Sequence, residues 1–383
     1  MRILYCAIDQ TVPGTLGGSV HVAAVARGLA ALGHDVHVLT APGAGPFPPG
    51  PVRWMPMRPP LGAKQLRWLR APAVRRLAEA IRPDAVIERY YNFGGEGIAA
   101  GKATGAATVL EVNAPIVDYP GSMKSRIDRA LLVEPMRRWR EGICGDSDVI
   151  VTPSGAILPP DTPAAKILEL EWGADTDLFA PGASGPPPFE RPAPIVAIFA
   201  GAFRSWHGAV HLARAIRRLR ARGRADIGAV FAGDGPELGA VRAEAAGLDR
   251  IIFTGAIPHE RMPAALGGAD IGVAPFDLGA HRALSLGFYW SPLKLFEYMA
   301  AGLPVVAPAA DRIPALVEHE REGLLYDAGD EDGLASAIER LADPGLRRGL
   351  GAAARERAVR EYSWNAHCTA IADRLNQIVI RSP

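Results

Sequence analysis

Short apolar runs alternate with amphipathic stretches along nearly the whole chain, and this alternation restricts the fold more than any other feature. RILYCAI (2–8) is followed by SVHVAAVARGLAAL (19–32), in which apolar residues recur at helical spacing. Strands that alternate with helices form parallel sheets with helices on both faces. The sequence therefore predicts an α/β protein with doubly wound sheets.

One segment interrupts the alternation. PGASGPPPFERPAP (181–194) is rich in proline and glycine and has no periodicity, which is typical of a linker between domains. A chain of 383 residues also suits two domains. We expect an N-terminal domain over 1–180, a second domain over 195–363 and a closing helix over 364–383. Ligands of such sheets bind beyond the carboxyl ends of the strands, so the cleft between two facing domains is the expected site.

The individual predicted elements follow from the same periodicity. The strands of the first half are 2–8, 34–39, 84–89, 107–112 and 147–154. The strands of the second half are 195–201, 227–233, 250–256, 270–276, 303–308 and 323–328. Helical stretches close the chain at about 333–342, 347–360 and 365–380.

Composition narrows the class of protein. Hydrophobic residues make up 49% and charged residues 22%, as in globular proteins, and the net charge of +1 favours no nucleic-acid partner. No apolar run reaches the roughly 20 residues of a membrane span, and the first residues are typical of a strand rather than a signal peptide. Three distant cysteines, Cys6, Cys144 and Cys368, indicate reduced thiols in a cytoplasmic protein.

The stretch SPLKLFEYMAAGLPVVAP (291–308) predicts a nucleotide site. Ser291 suits the N-cap of a helix, and the free N–H groups at that end, with Lys294 one turn in, favour a diphosphate. Glu297 lies on the same face and suits a ribose diol. The alternative is an exposed ion pair between Lys294 and Glu297, and the buried run that follows argues against it.

This stretch resembles the nucleotide-binding signature of family 4 retaining glycosyltransferases, in which a glutamate precedes a Met-Ala-x-Gly-x-Pro-Val run. Further segments resemble the family in the same order along nearly the whole chain. They are PGTLGGSVHVAAVARGLAALGHDVHVL (13–39), GAFRSWHG (201–208), AGDGPEL (232–238), FTGAIPHERMPAAL (253–266), ADIGVAPF (269–276) and EYSWNAH (361–367). Each segment alone is weak, whereas the ordered set is highly specific.

The resemblance implies the GT-B fold, in which two Rossmann-like domains with parallel sheets face each other across a cleft. The N-terminal domain would bind the acceptor, the C-terminal domain the nucleotide sugar, and the last helix would cross back to the N-terminal domain. The implied reaction moves a sugar from a UDP- or GDP-sugar to an acceptor hydroxyl by front-face displacement. It would serve glycoconjugate, polysaccharide or glycosylated-metabolite synthesis, with no cofactor beyond the donor substrate.

The resemblance also assigns site residues. Lys294, Arg204 and Asn113 are the catalytic candidates, with Glu111 an alternative to Asn113. The donor-binding candidates are Gly17, Gly18, His207, Gly233, Ile257, Ser291, Leu293 and Glu297. For the glycine pair, an ordinary turn before a helix is the alternative interpretation.

Two departures from the family pattern stand out. The family's first glutamate would fall at position 289, where this chain has Tyr289. The arginine and lysine of the family's phosphate loop are replaced by Ala202 and His207, so Arg204 is expected to supply the charge. These departures keep two alternatives open, a sugar-nucleotide epimerase of GT-B fold and a nucleotide-binding protein that has lost catalysis.

The sequence also bears on whether the protein binds a metal ion or contacts a membrane. Three Asp-x-Asp triplets, at 146–148, 175–177 and 330–332, occupy a strand start, a loop and a helix start, so we expect metal-independent catalysis. Basic residues mixed with tryptophan at 53–83 and 124–140 suit an anionic membrane surface or a lipid-linked acceptor. A solvated face is the alternative, and a glycan acceptor also stays open. We expect a cytoplasmic location. If the basic segments bind a membrane, the protein would also contact the inner membrane face peripherally.

Overall fold

The computed structural model describes most of the chain, namely residues 1–14, 17–131, 133–182 and 185–379. Four predicted segments extend beyond this description. Residues 15–16 of the glycine loop, 132 of the basic segment 124–140, 183–184 of the predicted linker and 380–383 of the predicted closing helix lie outside the described residues.

The chain divides into two units. The first joins Met1–Trp172 to Tyr289–Ser291 and to the stretch that begins at Trp364. The second joins Gly173–Phe288 to Pro292–Ser363. The first stretch of the first unit reaches Trp172, and the described part of the predicted linker belongs to the second unit.

The first unit is built on a parallel sheet. Its strands are β1 (Arg2–Val12), β2 (Asp35–Pro42), β3 (Arg53–Pro56), β4 (Ala85–Arg89), β5 (Ala107–Glu111), β6 (Val149–Thr152) and β7 (Ile167–Glu169). Their order is β3-β2-β1-β4-β5-β6-β7. Strand β1 lies inside the sheet between β2 and β4, so the strand order reverses beside it. The carboxyl ends of β1 and β4 therefore lie at the place where such sheets bind ligands.

Helices cover both faces of this sheet. They include α1 (Gly17–Ala31), α2 (Ala71–Ile81), α3 (Glu96–Thr104), α4 (Met123–Leu131) and α5 (Pro135–Asp146). Successive β1 side chains point to opposite faces: Tyr5 packs in one core with Val25 of α1, and Leu4 packs in the other with Val74 of α2. This alternation within one buried strand is why β1 reads as a continuous apolar run.

The second unit repeats the architecture. Its strands are β8 (Ile195–Ala200), β9 (Ile227–Ala232), β10 (Ile251–Gly255), β11 (Ile271–Val273), β12 (Val305–Pro308) and β13 (Gly323–Tyr326), in the order β10-β9-β8-β11-β12-β13. Its helices are α6 (Ala209–Ala221), α7 (Leu238–Glu244), α8 (Met262–Gly267), α9 (Leu293–Ala300), α10 (Ile313–Leu316), α11 (Glu331–Arg340) and α12 (Pro344–Glu361). All described strand pairs are parallel, which confirms the predicted pair of doubly wound α/β sheets.

The last helix, α13 (Trp364–Val379), packs within the first unit. Cys368 lies against Gly28 of α1, where a Cβ atom would come within 2.4 Å of the sulfur. Ile371 and Leu375 complete the same core. None of the helices within the described ranges is long and apolar enough to cross a membrane.

Candidate functional site

The amine of Lys294 lies beside the loop that follows β8. A Cβ atom at Gly201, where φ is +133°, would come within 3.3 Å of Lys294 Nζ. Nζ is buried, makes no hydrogen bond to the described residues and lies 4.2 Å from the centroid of the Phe199 ring. Burial lowers the pKa of Lys294 to about 7, against the opposing charge of Glu297. A buried amine without a hydrogen-bond acceptor is suited to an anionic ligand.

Helix α9 begins at Leu293, and Pro292 occupies its N-cap position without a side-chain cap. Ser291 Oγ instead donates to the Glu171 carboxylate at 2.6 Å and accepts from the backbone N–H of Trp172 at 2.9 Å. The prediction that Ser291 caps this helix is therefore wrong, because its hydroxyl is used by a segment of the first unit.

Glu297 is held by a histidine that the sequence did not single out. His259 Nε2 lies 3.2 Å from Glu297 Oε1, and this hydrogen bond raises the pKa of His259 although burial opposes the rise. His259 follows β10, two positions after the half-buried Ile257. The pair fixes a carboxylate one turn beyond Lys294 on α9, the arrangement expected for a ribose contact.

The ring of His207 is neutral. Its Nδ1–H donates to the Ala202 carbonyl at 2.6 Å, since a carbonyl only accepts. Burial lowers the pKa of His207 to about 3, and the charges of Lys294 and Arg204 lower it further. The loop after β8 therefore draws its positive charge from Arg204, which is exposed and lies 5.4 Å from the centroid of the Trp206 ring.

The glycines of the predicted donor site have packing reasons of their own. At Gly233, where φ is +140°, a Cβ atom would lie 1.9 Å from the Gly201 carbonyl oxygen. At Gly18 it would lie 2.2 Å from Gln10 Oε1 and 3.5 Å from Arg89 Nη2. At Gly17 the nearest atom, from Trp172, is 4.0 Å away. Gly17 is thus the one of these three positions with room beside its backbone.

In the first unit, Asn113 follows β5. Its Oδ1 accepts the indole N–H of Trp172 at 2.7 Å, whereas its Nδ2 is buried and has no hydrogen-bond partner among the residues described. The predicted catalytic candidate therefore presents a free donor.

Glu111, the alternative to Asn113, is already satisfied. Its two carboxylate oxygens lie 2.6 Å from His21 Nε2 and 2.6 Å from the hydroxyl of Tyr5. Burial would raise the pKa of Glu111, but these hydrogen bonds and the charge of Arg89 bring it to about 2. Glu111 therefore organises the core and is not placed as a base.

The acidic groups considered for a metal have other partners. Asp148 accepts from Thr108, Asp175 from the N–H of Leu178, and Asp330 caps α11. Within the described ranges, one cluster has metal-ligand character: atoms of His21, Glu111 and His367 lie within 4.8 Å of one another. The short contact between His21 and Glu111 is a hydrogen bond, and both residues are fully buried.

Sequence reasoning missed three residues of these sites, His259, Arg89 and Trp172. Arg89 ends β4, Trp172 ends a stretch of the first unit, and His259 lies four residues beyond β10 within the family-like segment 253–266, which did not single it out. A polar or aromatic residue at a strand's carboxyl end was the available signal, and it does not show which partner the residue meets.

Known proteins are similar in sequence to this chain over most of its length. The Glycosyltransferase Family 4 model matches residues 16–158, and the Glycosyl transferases group 1 model matches residues 194–343. The D-inositol 3-phosphate glycosyltransferase of Acidothermus cellulolyticus is 28% identical, over 92% of this chain and 84% of that protein.

Two further similarities are of different kinds. The GDP-mannose-dependent alpha-(1-6)-phosphatidylinositol monomannoside mannosyltransferase of Mycolicibacterium smegmatis is 28% identical, over 56% of this chain and 57% of its own length. Sucrose-phosphate synthase from Thermosynechococcus elongatus has a similar structure, with a TM-score of 0.73, 20% identity and 99% of both chains covered. The second similarity bears on the fold alone.

Proposed function

Because the chain belongs to the family 4 (group 1) glycosyltransferases of GT-B fold, we propose that it moves a sugar, with retention, from a nucleoside diphosphate sugar to an acceptor hydroxyl. The donor occupies the second unit and the acceptor the first. GDP is a candidate nucleotide because the M. smegmatis relative is named for GDP-mannose, and UDP is the other. The relatives are transferases, which favours transfer over epimerisation or lost catalysis.

The observation that carries this proposal is the buried, hydrogen-bond-free amine of Lys294 beside Gly201. Negative charge grows on the departing diphosphate in the transition state, and a preorganised cation stabilises it most where water is excluded. Arg204 supplies a second charge from the loop after β8 that contains Gly201. The diphosphate itself takes the proton of the acceptor hydroxyl, so no protein base is required.

The remaining roles follow from position. Glu297, held by His259, binds the ribose, and Asn113 donates to the reacting sugar or acceptor. The other proposed donor contacts of the second unit are His207, Gly233, Ile257 and Leu293.

Binding and turnover test the proposal separately. Melting temperatures should rise with UDP or GDP more than with dTDP or ADP, since a ligand of the folded state stabilises it by mass action. Transfer to an acceptor should persist in EDTA, because fixed protein charge takes the place of an ion. Absence of a melting shift with all four nucleotides contradicts the donor site, and activity that EDTA abolishes and manganese restores contradicts the metal-free mechanism.

We also propose that an anionic membrane surface is a partner of the first unit. Met123, Ile127 and Leu131 recur every fourth residue on α4, and Met123 is 74% exposed. An apolar helix face left in water, flanked by the exposed Arg126 and Arg129, suits a lipid headgroup region. This arrangement also suits a lipid-linked acceptor and a cytoplasmic location at the inner membrane face.

A second segment extends this surface. Leu61 is 97% exposed, and the ring of Trp68 lies 6.1 Å from that of Trp139 on α5, which brings the two basic segments together. Flotation with vesicles of phosphatidylglycerol should retain the parent protein, and vesicles of phosphatidylcholine should not. Replacing Met123 and Leu131 by serine should weaken retention while nucleotide binding is kept. Equal retention of parent and variant contradicts the membrane proposal.

A further inference from the structure

Two hydrogen-bond donors stand without acceptors where β4 and β5 end. Arg89, the last residue of β4, is 8% exposed, and its Nη1 has no hydrogen-bond partner in the described part of the chain. The same holds for Nδ2 of Asn113, two residues beyond β5. Buried polar groups are nearly always paired, so two unpaired donors at adjacent strand ends need an explanation.

The neighbouring carboxylate does not supply the missing acceptor. Arg89 Nη1 lies 3.9 Å from Glu111 Oε2, beyond hydrogen-bond distance. Both oxygens of Glu111 have closer donors in His21 and Tyr5. Glu111 therefore balances part of the guanidinium's charge but accepts no hydrogen bond from Nη1.

Trp172 positions both donors. Its indole N–H can only donate, so the bond to Asn113 Oδ1 turns the amide nitrogen away from Trp172. The same ring lies 5.7 Å from the guanidinium carbon of Arg89. One side chain thus contacts both donors.

We propose that Arg89 and Asn113 bind an oxyanion, phosphate or carboxylate, carried by the acceptor substrate. Both free groups are donors, so the ligand must offer acceptor oxygens. A guanidinium fork matches the paired oxygens of phosphate and carboxylate better than a single hydroxyl. The Arg89 guanidinium lies against Gly18, at the start of the 15-residue helix α1, whose positive end also favours an anion.

The assignment to the acceptor rests on the proposed function, whereas oxyanion binding itself does not. The binding test uses Lys294→Met as background, which removes the proposed diphosphate site. Glucose 6-phosphate, glucuronate and glucose are the probes, because they differ only at carbon 6. We expect the phosphate or the carboxylate to bind at least tenfold more tightly than glucose, and the preferred one distinguishes the two sources of charge.

Variants then locate the binding. Arg89→Lys keeps a charge beside Glu111 while losing the fork, and Asn113→Ala removes the amide; each should weaken the anionic probe about tenfold and leave glucose unchanged. Trp172→Phe keeps a ring beside Arg89 but removes the hydrogen bond to Asn113. It should weaken binding of the anionic probe less than Arg89→Lys or Asn113→Ala does. Arg27→Met, which removes a charge from the exposed side of α1, is the matched control.

Two results overturn the inference. Equal affinity for glucose 6-phosphate and glucose, or anion binding that survives both Arg89→Lys and Asn113→Ala, shows that these donors hold no oxyanion. With Lys294 intact, UDP and GDP affinity should be unchanged in Arg89→Lys. A loss of nucleotide affinity without a loss of probe affinity would place Arg89 at the donor and refute its role with the acceptor. Failure of all nucleotides to bind would count against the proposed function alone.

Discussion

Lys294 is about half protonated near neutral pH, because burial brings its pKa to about 7. A bound diphosphate favours the ammonium form and so raises this pKa. Binding must then take up a proton. The affinity for nucleoside diphosphate should have its full value below pH 7. It should fall as pH rises above 7, by at most about tenfold per pH unit.

Titration calorimetry at pH 8 in HEPES and in Tris measures this proton directly. The parent should take up close to one proton, and Lys294→Met should take up none. In transfer assays Lys294→Met should lose on the order of 100- to 1000-fold in turnover, as for a single preorganised donor. Lys294→Arg should recover part of it, because a planar fork does not replace a compact ammonium. Buffer-independent heats in the parent contradict the role of this amine.

Glu297 should act on the ribose and not on the leaving group. Glu297→Ala should raise the donor KM more than it lowers kcat, since the contact is made equally in ground and transition states. A 2′,3′-dideoxynucleotide should bind the parent and Glu297→Ala equally, because it lacks the hydroxyls that the carboxylate accepts from. The same weakening for normal and dideoxy nucleotides contradicts the ribose assignment.

His259 provides an independent readout of this carboxylate. Glu297→Gln should lower the pKa of His259 in an NMR titration, because the hydrogen bond to Glu297 is the main cause of its rise. Glu260→Gln removes the weakest of the charges that raise the pKa of His259, so it should lower that pKa less than Glu297→Gln does.

At the scale of elements, the start of α3 concentrates buried charge. Glu88, at the end of β4, accepts from the backbone N–H groups of Gly95, Gly97 and Ile98. Arg67 also binds Glu88, together with Glu96, and all three side chains are buried. Burial first, and then the charge of Glu96, raises the pKa of Glu88 to about 7.

This raised pKa predicts a loss of stability with rising pH. The folded state holds a proton on Glu88 that the unfolded state releases near pH 4. The stabilisation is therefore complete below about pH 4 and is lost as pH rises through 7, with a slope of at most ~1.4 kcal/mol per unit. Glu88→Gln should remove this dependence. The difference in unfolding free energy, variant minus parent, should therefore increase between pH 5 and 8.

Urea unfolding at several pH values measures that difference. The amide of Gln fits the N–H groups of α3 less well, but the stability lost in this way does not change with pH. The slope of unfolding free energy against pH therefore reports the Glu88 proton alone. Glu79→Gln, which breaks an exposed pair with Arg75 on α2, should show no change of slope. Parallel curves of unfolding free energy against pH for the parent and Glu88→Gln would contradict a proton held by Glu88 in the folded state.

The elements that sequence patterns predicted are those whose apolar periodicity reflects burial. Strand β8 is buried at every position and was found to within a residue. Strands β3 and β7 were missed because both are short and at least half of their residues are partly exposed or exposed, so neither contains an apolar run. The start of α9 was misplaced because Ser291 has a partner far along the chain, at Glu171.

At the scale of the whole molecule, the candidate site divides in the same way. Lys294 and Glu297 were predictable because their spacing on one helix is local. The pairing of His259 with Glu297 and of Trp172 with Asn113 joins residues far apart in sequence, and no local pattern encodes such contacts. Strand ends could be named in advance, whereas the side chains that meet there depend on strand order.

Each unit has its own hydrophobic core, and this separation predicts how the molecule unfolds. The core around Phe199 and Phe231 contains residues of the second unit only, and the core around Tyr5 and Leu375 contains residues of the first only. Calorimetric unfolding should therefore show two transitions. A nucleoside diphosphate at 100 times its Kd should stabilise the second unit by about 2.7 kcal/mol. For a unit of this size the shift is roughly 5–10 °C.

The two transitions should respond to different changes. The nucleotide should move only the transition of the second unit, and Lys294→Met should abolish that shift. Glu88→Gln should move only the transition of the first unit, and its melting temperature should improve relative to that of the parent as pH rises if the Glu88 proton is the cause. One transition that moves as a whole under both changes means that the two cores unfold together, and the melting shift then reports nucleotide binding without locating it in the second unit.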